Sequence, residues 1–159
     1  MADALPDFHQ TVRPEWIDYN GHMSEAYYVL VFGHATDAML AATGLGTDYV
    51  ERNRCSLYTA EAHVRYLCEV AQGTALTVRT SVLGVDTKKV RFCHAMFAEG
   101  EQSPGAEPVA TCELLGVHVD QQAGRSAPLP EEARARLAAL VQGPPRWAGR
   151  AIGPVPKPL

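Results

Sequence analysis

The chain has 159 residues, which is enough for one domain that buries about 68 to 70% of its unfolded surface without a disulfide or a metal ion. The formal net charge of −4, with no cluster of lysine or arginine, argues against a nucleic-acid partner. The N-terminus lacks the basic and apolar regions of a signal peptide, and the four cysteines form no CxxC pair, so we expect reduced, packed thiols in a cytoplasmic protein.

The first predicted elements are a short strand and one long helix. The strand covers residues 8–13 and ends before Pro14. A polar loop follows, and residues 26–42 form a helix with apolar side chains on nearly every face. Ser24 is placed to cap this helix, and the charge of Glu25 complements the helix dipole in the first turn. Because a helix without a polar side has to be covered, we expect a curved sheet to enclose it.

Three polar residues interrupt the helix: His34, Thr36 and Asp37. A membrane span needs about 20 predominantly apolar residues, so we expect no membrane partner. His34 and Asp37 are three positions apart and can face each other. A metal site would need further ligands, so we expect a polar contact or an interface there and no bound metal.

The next predicted strand covers residues 57–67 and alternates between two faces. One face carries Tyr58, Ala60, Ala62, Val64 and Tyr66, and the other carries Thr59, Glu61, His63 and Arg65. Strands over residues 75–85 and 89–98 have the spacing of a hairpin, and another covers residues 108–119. The last three strands should form an antiparallel meander. Strands grouped apart from one long helix indicate an α+β fold.

Three regions lie around these strands. Residues 99–107 are typical of an exposed loop, and residues 131–141 of a short amphipathic helix. Residues 143–159 contain too much proline and glycine for regular structure. We therefore predict a single domain over residues 1–142, followed by an extended tail.

Two segments resemble a known enzyme family: DYNGHM at residues 18–23, which opens the long helix, and EAHVRYLCE at residues 61–69. Both are similar to the hotdog-fold acyl-CoA thioesterases, in the branch of 4-hydroxybenzoyl-CoA thioesterase, and the likeness covers roughly residues 8–130. The segment WIDYNGHM, the Tyr27-Tyr28 pair and the ExHxxYLxE spacing look most like thioesterases of carnitine and betaine breakdown, which act on betainyl-CoA-type substrates.

The resemblance implies an antiparallel sheet of about five strands wrapped around one long central helix. It also implies a homodimer or a dimer of dimers with active sites between subunits, and no cofactor apart from the CoA of the substrate. The residue matching Asp18 serves in this family as nucleophile or general base. The spacing of Asp18, Asn20 and His22 resembles that in plant acyl-ACP thioesterases. In those enzymes the corresponding asparagine and histidine act together with a later acidic residue. Many relatives carry asparagine where this chain has Ser24.

Thioester hydrolysis requires a group that attacks or activates water, and donors that stabilise an oxyanion. The N–H groups at the helix start, from Ser24 to Tyr27, are such donors, and Asp18 would stand across the carbonyl from them. The alternative for Asp18 is a loop carboxylate in an Asx-turn. Asn20 either positions water or satisfies loop backbone groups. His22 either hydrogen-bonds the substrate or ties the loop to neighbouring backbone.

Further candidate site residues lie on the polar strand and in the loop. Glu61, His63 and Arg65 share one strand face. This face is either solvated surface or part of the site, in which case Glu61 reaches the active site and Arg65 binds a CoA phosphate. Glu69 is the other candidate for the second acidic residue. Gly21 is expected to adopt a positive φ or to permit a close backbone approach.

Aromatic residues are frequent near the predicted site. They are Trp16, Tyr19, Tyr27, Tyr28 and Tyr58. They form either a cage for a quaternary ammonium or part of the core and the dimer seam. We count Trp16, Tyr27 and Tyr58, together with Glu25 in the first helical turn, as candidate substrate contacts.

We interpret the chain as a metal-independent acyl-CoA thioesterase. One alternative is a non-catalytic acyl-CoA-binding protein, which tight binding without turnover would favour. A second is an enoyl-CoA hydratase or dehydratase, which would add water to an enoyl-CoA. The Asp-x-Asn-x-His order at residues 18–22 favours the thioesterase.

Overall fold

Five antiparallel strands form one curled sheet in the order β1-β3-β4-β5-β2, and a two-residue strand, β6, pairs with β5. The computed structural model describes residues 4–99 and 106–156. The elements are β1 (Phe8–Thr11), a 3₁₀ helix (Pro14–Trp16), α1 (Glu25–Thr43), α2 (Thr47–Asn53), β2 (Cys55–Tyr66), β3 (Ala75–Val85), β4 (Lys89–Ala98), β5 (Ala110–Asp120), β6 (Arg125–Ser126) and α3 (Glu131–Ala139). The predicted α+β class, the meander and the long helix are confirmed.

Two predicted regions fall partly beyond the described residues. The exposed loop predicted over residues 99–107 includes residues 100–105, and the tail includes residues 157–159. The structure describes neither of these two stretches.

Helix α1 packs one side into the core and leaves the other side open. Its buried side chains include Tyr28, Val31, Phe32, Ala35 and Met39. The opposite stripe contains Ala26, Val29, Leu30, Gly33, Asp37 and Ala41, all of which are exposed. Val29 is 48% exposed and Leu30 is 41% exposed. The predicted sheet wrapped around the helix is present, but within one chain it leaves this stripe of α1 uncovered.

No single helix among residues 4–99 and 106–156 is long and apolar enough to cross a membrane. Helices α1 and α2 pass that test only as a pair, bent by 67°.

A bulge in β2 changes the predicted pattern of its faces. The pairing of β2 with β5 shifts between Thr59 and Glu61. Directly paired residues of neighbouring strands share a face. Tyr58 pairs with Val117, and Glu61 with Leu115, so both lie on the outer face of the sheet. The prediction that Tyr58 shares a face with the apolar residues farther along the strand is wrong, because the extra residue in the bulge reverses the alternation.

The core contains two fully buried histidines among the described residues, His94 and His118. His94 on β4 is 0% exposed, and its ring stacks on Phe32 of α1. Thr36 lies 2.8 Å from Nε2 of His94, and Thr80 lies 2.9 Å from Nδ1. The hydroxyl of Thr36 also donates to the carbonyl oxygen of Phe32, so it accepts from Nε2–H. Burial lowers the pKa of His94 from 6.5 to about 3, and the ring joins helix and sheet as a neutral group.

The chain after α3 returns to the sheet. The N–H of Gln142 donates to the carbonyl oxygen of Val82 at 3.0 Å. The N–H of Gly149 donates to Oε2 of Glu113 at 2.6 Å, and Arg91 holds Oε1 of the same carboxylate. Part of the predicted tail is therefore bound to β5, and the domain boundary at residue 142 stays a prediction.

Candidate active site

The loop before α1 is a tight turn closed by its own backbone. Ile17 and Met23 form an antiparallel bridge at its base. The N–H of Asp18 donates to the carbonyl oxygen of His22 at 3.1 Å, and the N–H of Gly21 donates to that of Asp18 at 3.0 Å. Gly21 has a φ of 82°, as the sequence predicted. Because most side chains are strained at this φ, glycine lets the turn close.

The side chain of Asp18 completes an Asx-turn. Its Oδ1 accepts from the backbone N–H of Asn20 at 2.8 Å. The carboxylate is thus held in place while Oδ2 has no hydrogen bond among the described residues. A fixed carboxylate with one free oxygen is suited to accept a proton or to attack a carbonyl.

The start of α1 offers fewer free donors than the sequence suggested. Ser24 occupies the N-cap position, but its side chain makes no capping hydrogen bond. Its N–H donates to the carbonyl oxygen of Trp16, and the N–H of Tyr27 donates to that of Ser24. Within the described residues, this leaves the N–H groups of Glu25 and Ala26 without a backbone acceptor. An oxyanion would therefore meet donors from the first two residues of the helix.

An open groove of about 530 Å³ lies between this loop, the start of α1 and the end of β2. Its lining residues are Asp18, Asn20, His22, Met23, Glu25, Tyr28, Tyr66, Leu67, Cys68 and Glu69. Asp18, Asn20, His22, Glu25 and Glu69 were all predicted as site residues, and the fold brings them together.

Two tyrosines form one wall of the groove. The rings of Tyr28 and Tyr66 meet edge to face, with centroids 5.2 Å apart. The hydroxyl of Tyr28 donates to the carbonyl oxygen of Cys68, and that of Tyr66 to the carbonyl oxygen of Glu25. Burial raises the pKa of both, and a nearby carboxylate adds to the rise, Glu69 for Tyr28 and Glu25 for Tyr66. Both hydroxyls therefore stay protonated at neutral pH.

The charges of the groove are mostly negative. Nε2 of His22 lies 3.4 Å from Oε2 of Glu69, and the two side chains are 40% and 77% exposed. At that exposure the pair contributes little to stability. Three carboxylates, those of Asp18, Glu25 and Glu69, line the groove, and the lining contains no lysine or arginine.

The four predicted site residues of β2 lie away from the groove within one chain. Tyr58 is on the outer face of the sheet, where Gln121 donates to its hydroxyl. Glu61 and His63 line a separate cavity of about 270 Å³ beside Arg91 and Glu113. Arg65 pairs with Thr111 and therefore lies on the same outer face.

The aromatic residues in and next to the loop also lie outside the groove. Trp16 is buried and stacks on Tyr27, with centroids 5.3 Å apart and an interplanar angle of 13°. Arg13 lies over the ring of Trp16. Tyr19 is 97% exposed. Neither Trp16, Tyr19 nor Tyr27 lines the groove.

Sequence reasoning missed Tyr66 and Cys68 as lining residues and did not select Tyr28 as a contact. Tyr66 and Cys68 belong to the EAHVRYLCE segment, whose motif was recognised. The alternation along the strand places Tyr66 on an apolar face. In the folded chain the end of β2 lies beside the start of α1, so that Tyr66 lines the groove. No group of His, Cys, Asp or Glu within the described ranges can hold a metal ion.

Comparisons with known proteins place this geometry in context. The sequence model of the thioesterase-like superfamily matches residues 12–137. A betainyl-CoA thioesterase from Pseudomonas aeruginosa is 38% identical over 158 residues, which are 96% of this chain and 97% of that protein. An L-carnitine dehydrogenase/betainyl-CoA thioesterase from Agrobacterium fabrum is 44% identical over 96% of this chain, and the match spans 31% of that longer protein.

Solved structures agree with the sequence matches. A protein from Pseudomonas putida, assigned as a thioesterase, superposes with a TM-score of 0.80 at 36% identity, over 98% of this chain and 99% of that one. A Staphylococcus aureus protein in complex with CoA superposes with a TM-score of 0.86 at 25% identity, over 98% of both chains. The predicted hotdog fold is confirmed.

Proposed function

This chain belongs to the thioesterase-like superfamily and hydrolyses acyl-CoA thioesters, and from that premise we propose that its substrate is a small acyl-CoA of the betainyl type. The observation that supports this substrate most directly is the groove beside Asp18, which combines three carboxylates with two tyrosines. The products are then the free betaine and CoA. A 38% identity over nearly the whole length of a betainyl-CoA thioesterase supports the same substrate.

Asp18 is the residue to which we assign the chemistry. As a general base, it takes a proton from water while the water oxygen bonds to the acyl carbon. The carbon–sulfur bond then breaks, and the proton passes to the CoA thiolate. As a nucleophile, the carboxylate attacks first, CoA leaves, and water hydrolyses the mixed anhydride. Both routes pass through an oxyanion, which the N–H groups of Glu25 and Ala26 stabilise.

Asn20 and His22 support this chemistry from the same turn. The backbone of Asn20 holds the Asp18 carboxylate, and its side chain lines the groove, where it can orient water. His22 faces Glu69 across the groove, and we assign Glu69 as the second acidic residue within one chain.

We also propose a homodimer. Strand β2 is the sheet's terminal strand and has 12 residues, and among the described residues it pairs only with β5. Exposed long edges of this kind pair readily with another chain. The open apolar stripe of α1, with Val29 and Leu30, is a second surface that a partner would cover. In such a dimer, Glu61 of one subunit would contribute its carboxylate to the active site of the other subunit. Arg65 would bind a phosphate of CoA.

We also propose a cytoplasmic location, which the state of the cysteines supports. All four cysteines are free thiols, and Cys93 and Cys112 are buried with pKa values raised to about 12, chiefly by burial. Thiols kept reduced suit the cytoplasm, where we place the protein.

The proposed substrate is tested by following thiol release from a panel of acyl-CoA thioesters that includes betainyl-CoA, acetyl-CoA and benzoyl-CoA. We expect the highest kcat/KM with betainyl-CoA. A higher value for benzoyl-CoA would contradict the proposed substrate and leave the thioesterase assignment intact.

A further inference from the structure

The groove beside Asp18 is built to favour positive charge. The carboxylates of Asp18, Glu25 and Glu69 line it, and no lysine or arginine does. Only His22 among the lining residues can carry a compensating charge, and its Nε2 already lies 3.4 Å from Glu69. An anionic acyl group would be repelled by this wall, whereas a cationic group would be attracted to it.

An aromatic surface lies in the same groove. Tyr66 is 46% exposed, so a large part of its ring is open, while Tyr28 behind it is buried. The hydroxyl of Tyr28 bonds to the backbone of Cys68, and the hydroxyl of Tyr66 bonds to the backbone of Glu25. Both rings are therefore held before a ligand arrives, which reduces the entropy lost on binding. The face of such a ring attracts cations.

The other aromatic residues of the region cannot provide this surface within one chain. Trp16 and Tyr27 stack on each other, and Trp16 is buried. Tyr19 is almost fully exposed and does not line the groove, and Tyr58 lies on the outer face of the sheet. Tyr66 is therefore the exposed ring that lines the groove with the catalytic carboxylate.

We propose that Tyr66, together with Glu25 and Glu69, binds the quaternary ammonium of the acyl group and so sets the preference of this enzyme for a cationic substrate. This inference rests on the proposed function, and it identifies the residues that select the substrate. A single methylene separates the nitrogen from the carbonyl carbon in a betainyl thioester, so the cation lies within about 3 Å of the carbon that Asp18 reaches. The cation site therefore has to share a groove with Asp18, and Tyr66 and Glu69 line the same groove as Asp18.

The test compares betainyl-CoA with tert-butylacetyl-CoA, in which carbon replaces nitrogen and the shape is kept. The wild-type kcat/KM should be at least about tenfold higher for betainyl-CoA, since a cation over an aromatic ring gains about 2- to 30-fold in binding and the carboxylates add to this. Equal values for the two thioesters would overturn the inference and leave the thioesterase intact.

Four variants test which residues set this preference. Tyr66→Leu and Glu69→Gln should each lower the ratio of the two kcat/KM values by about 3- to 30-fold. Tyr66→Phe keeps the ring and should retain most of the ratio. Glu51→Gln, which removes an exposed carboxylate of α2, should leave the ratio unchanged. A ratio that stays constant in Tyr66→Leu and Glu69→Gln would overturn the assignment of these residues.

A failure of the proposed function is distinguishable from a failure of this inference. If neither thioester is hydrolysed, the proposed function fails, and binding of choline is compared with binding of its neutral carbon analogue. Tighter binding of choline, weakened by Tyr66→Leu, would support the cation site. Equal binding of both compounds would overturn it.

Discussion

The carboxylate of Asp18 is positioned by the turn to which it belongs. Its Oδ1 accepts from the N–H of Asn20, and the positive φ of Gly21 allows the chain to turn toward α1. From the sequence, the Asx-turn and the catalytic role are alternatives for Asp18; the structure shows the Asx-turn, and its hydrogen bond is compatible with the proposed catalytic role. A carboxylate that is fixed through one oxygen presents the other in a defined direction.

Gly21→Ala should therefore impair activity more than stability. An alanine Cβ at residue 21 meets no atom within 4 Å, so its cost comes from the backbone alone, about 1 kcal/mol. Gly73→Ala is the matched control, with a φ of 81° and equally open space. Urea unfolding should give similar losses for both variants, while kcat/KM should fall clearly only in Gly21→Ala. Equal activity in the two variants would show that the turn does not position the reaction.

His94 predicts how stability depends on pH. In the folded protein its pKa is lowered to about 3 by burial, whereas the unfolded chain takes up the proton near 6.5. Its contribution to stability is therefore complete above pH 6.5 and is lost as the pH falls from 6.5 toward 3. The free energy of unfolding should drop by up to about 1.4 kcal/mol per pH unit in this range. Urea unfolding at several pH values should show a smaller slope for His94→Gln than for the wild type, and identical slopes would contradict this account.

At the scale of elements, β2 and β5 are tightly packed at Gly116. A Cβ at residue 116 would lie 2.7 Å from Cδ2 and 2.9 Å from Cγ of the buried Leu57. These two residues lie beside the β2 bulge, which reverses the faces of the strand. A side chain at residue 116 therefore fits beside this bulge only if Leu57 moves.

Gly116→Ala should destabilise the protein by about 1 to 3 kcal/mol, because the buried Leu57 would have to move. Gly84→Ala on β3 is the control, since its Cβ would meet nothing within 4 Å. Thermal unfolding should show a lower Tm for Gly116→Ala and little change for Gly84→Ala. A Tm that falls equally in both variants would mean that packing against Leu57 does not matter.

The elements themselves could largely be predicted from the sequence. Helix α1 was expected over residues 26–42 and covers Glu25–Thr43, since its apolar run and the glycine after it are local signals. The bulge in β2 was not predicted, because a bulge depends on the partner strand. Tyr66 was not predicted to line the groove because it depends on tertiary structure. The alternation of β2 shows which face Tyr66 lies on but not that the end of this face lies beside the start of α1.

At the scale of the whole molecule, two of the surfaces that the described residues leave uncovered are relevant to the proposed dimer. They are the outer edge of β2 and the α1 stripe with Val29 and Leu30. The predicted site residues on the outer face of β2, Glu61 among them, do not reach the groove of their own chain. The apolar residues on nearly every face of α1 predict that the helix is covered, but the sequence does not show that a single chain leaves this stripe exposed.

Leu30→Glu should therefore convert the proposed dimer into monomers, because it would place a charge in the interface. Light scattering after size-exclusion chromatography should give the mass of a dimer for the wild type and of a monomer for Leu30→Glu. Ala138→Glu, which adds a charge to the exposed face of α3, should stay dimeric. A wild-type monomer with full activity would contradict the dimer.

The central claim is that Asp18 carries out the hydrolysis in this groove, and Asp18→Asn tests it directly. Asparagine keeps an oxygen that can accept from the N–H of Asn20, so the turn is retained while the negative charge is lost. Release of thiol from betainyl-CoA should slow by about 10²- to 10⁴-fold, with the unfolding midpoint little changed. Wild-type rates in Asp18→Asn would contradict the account.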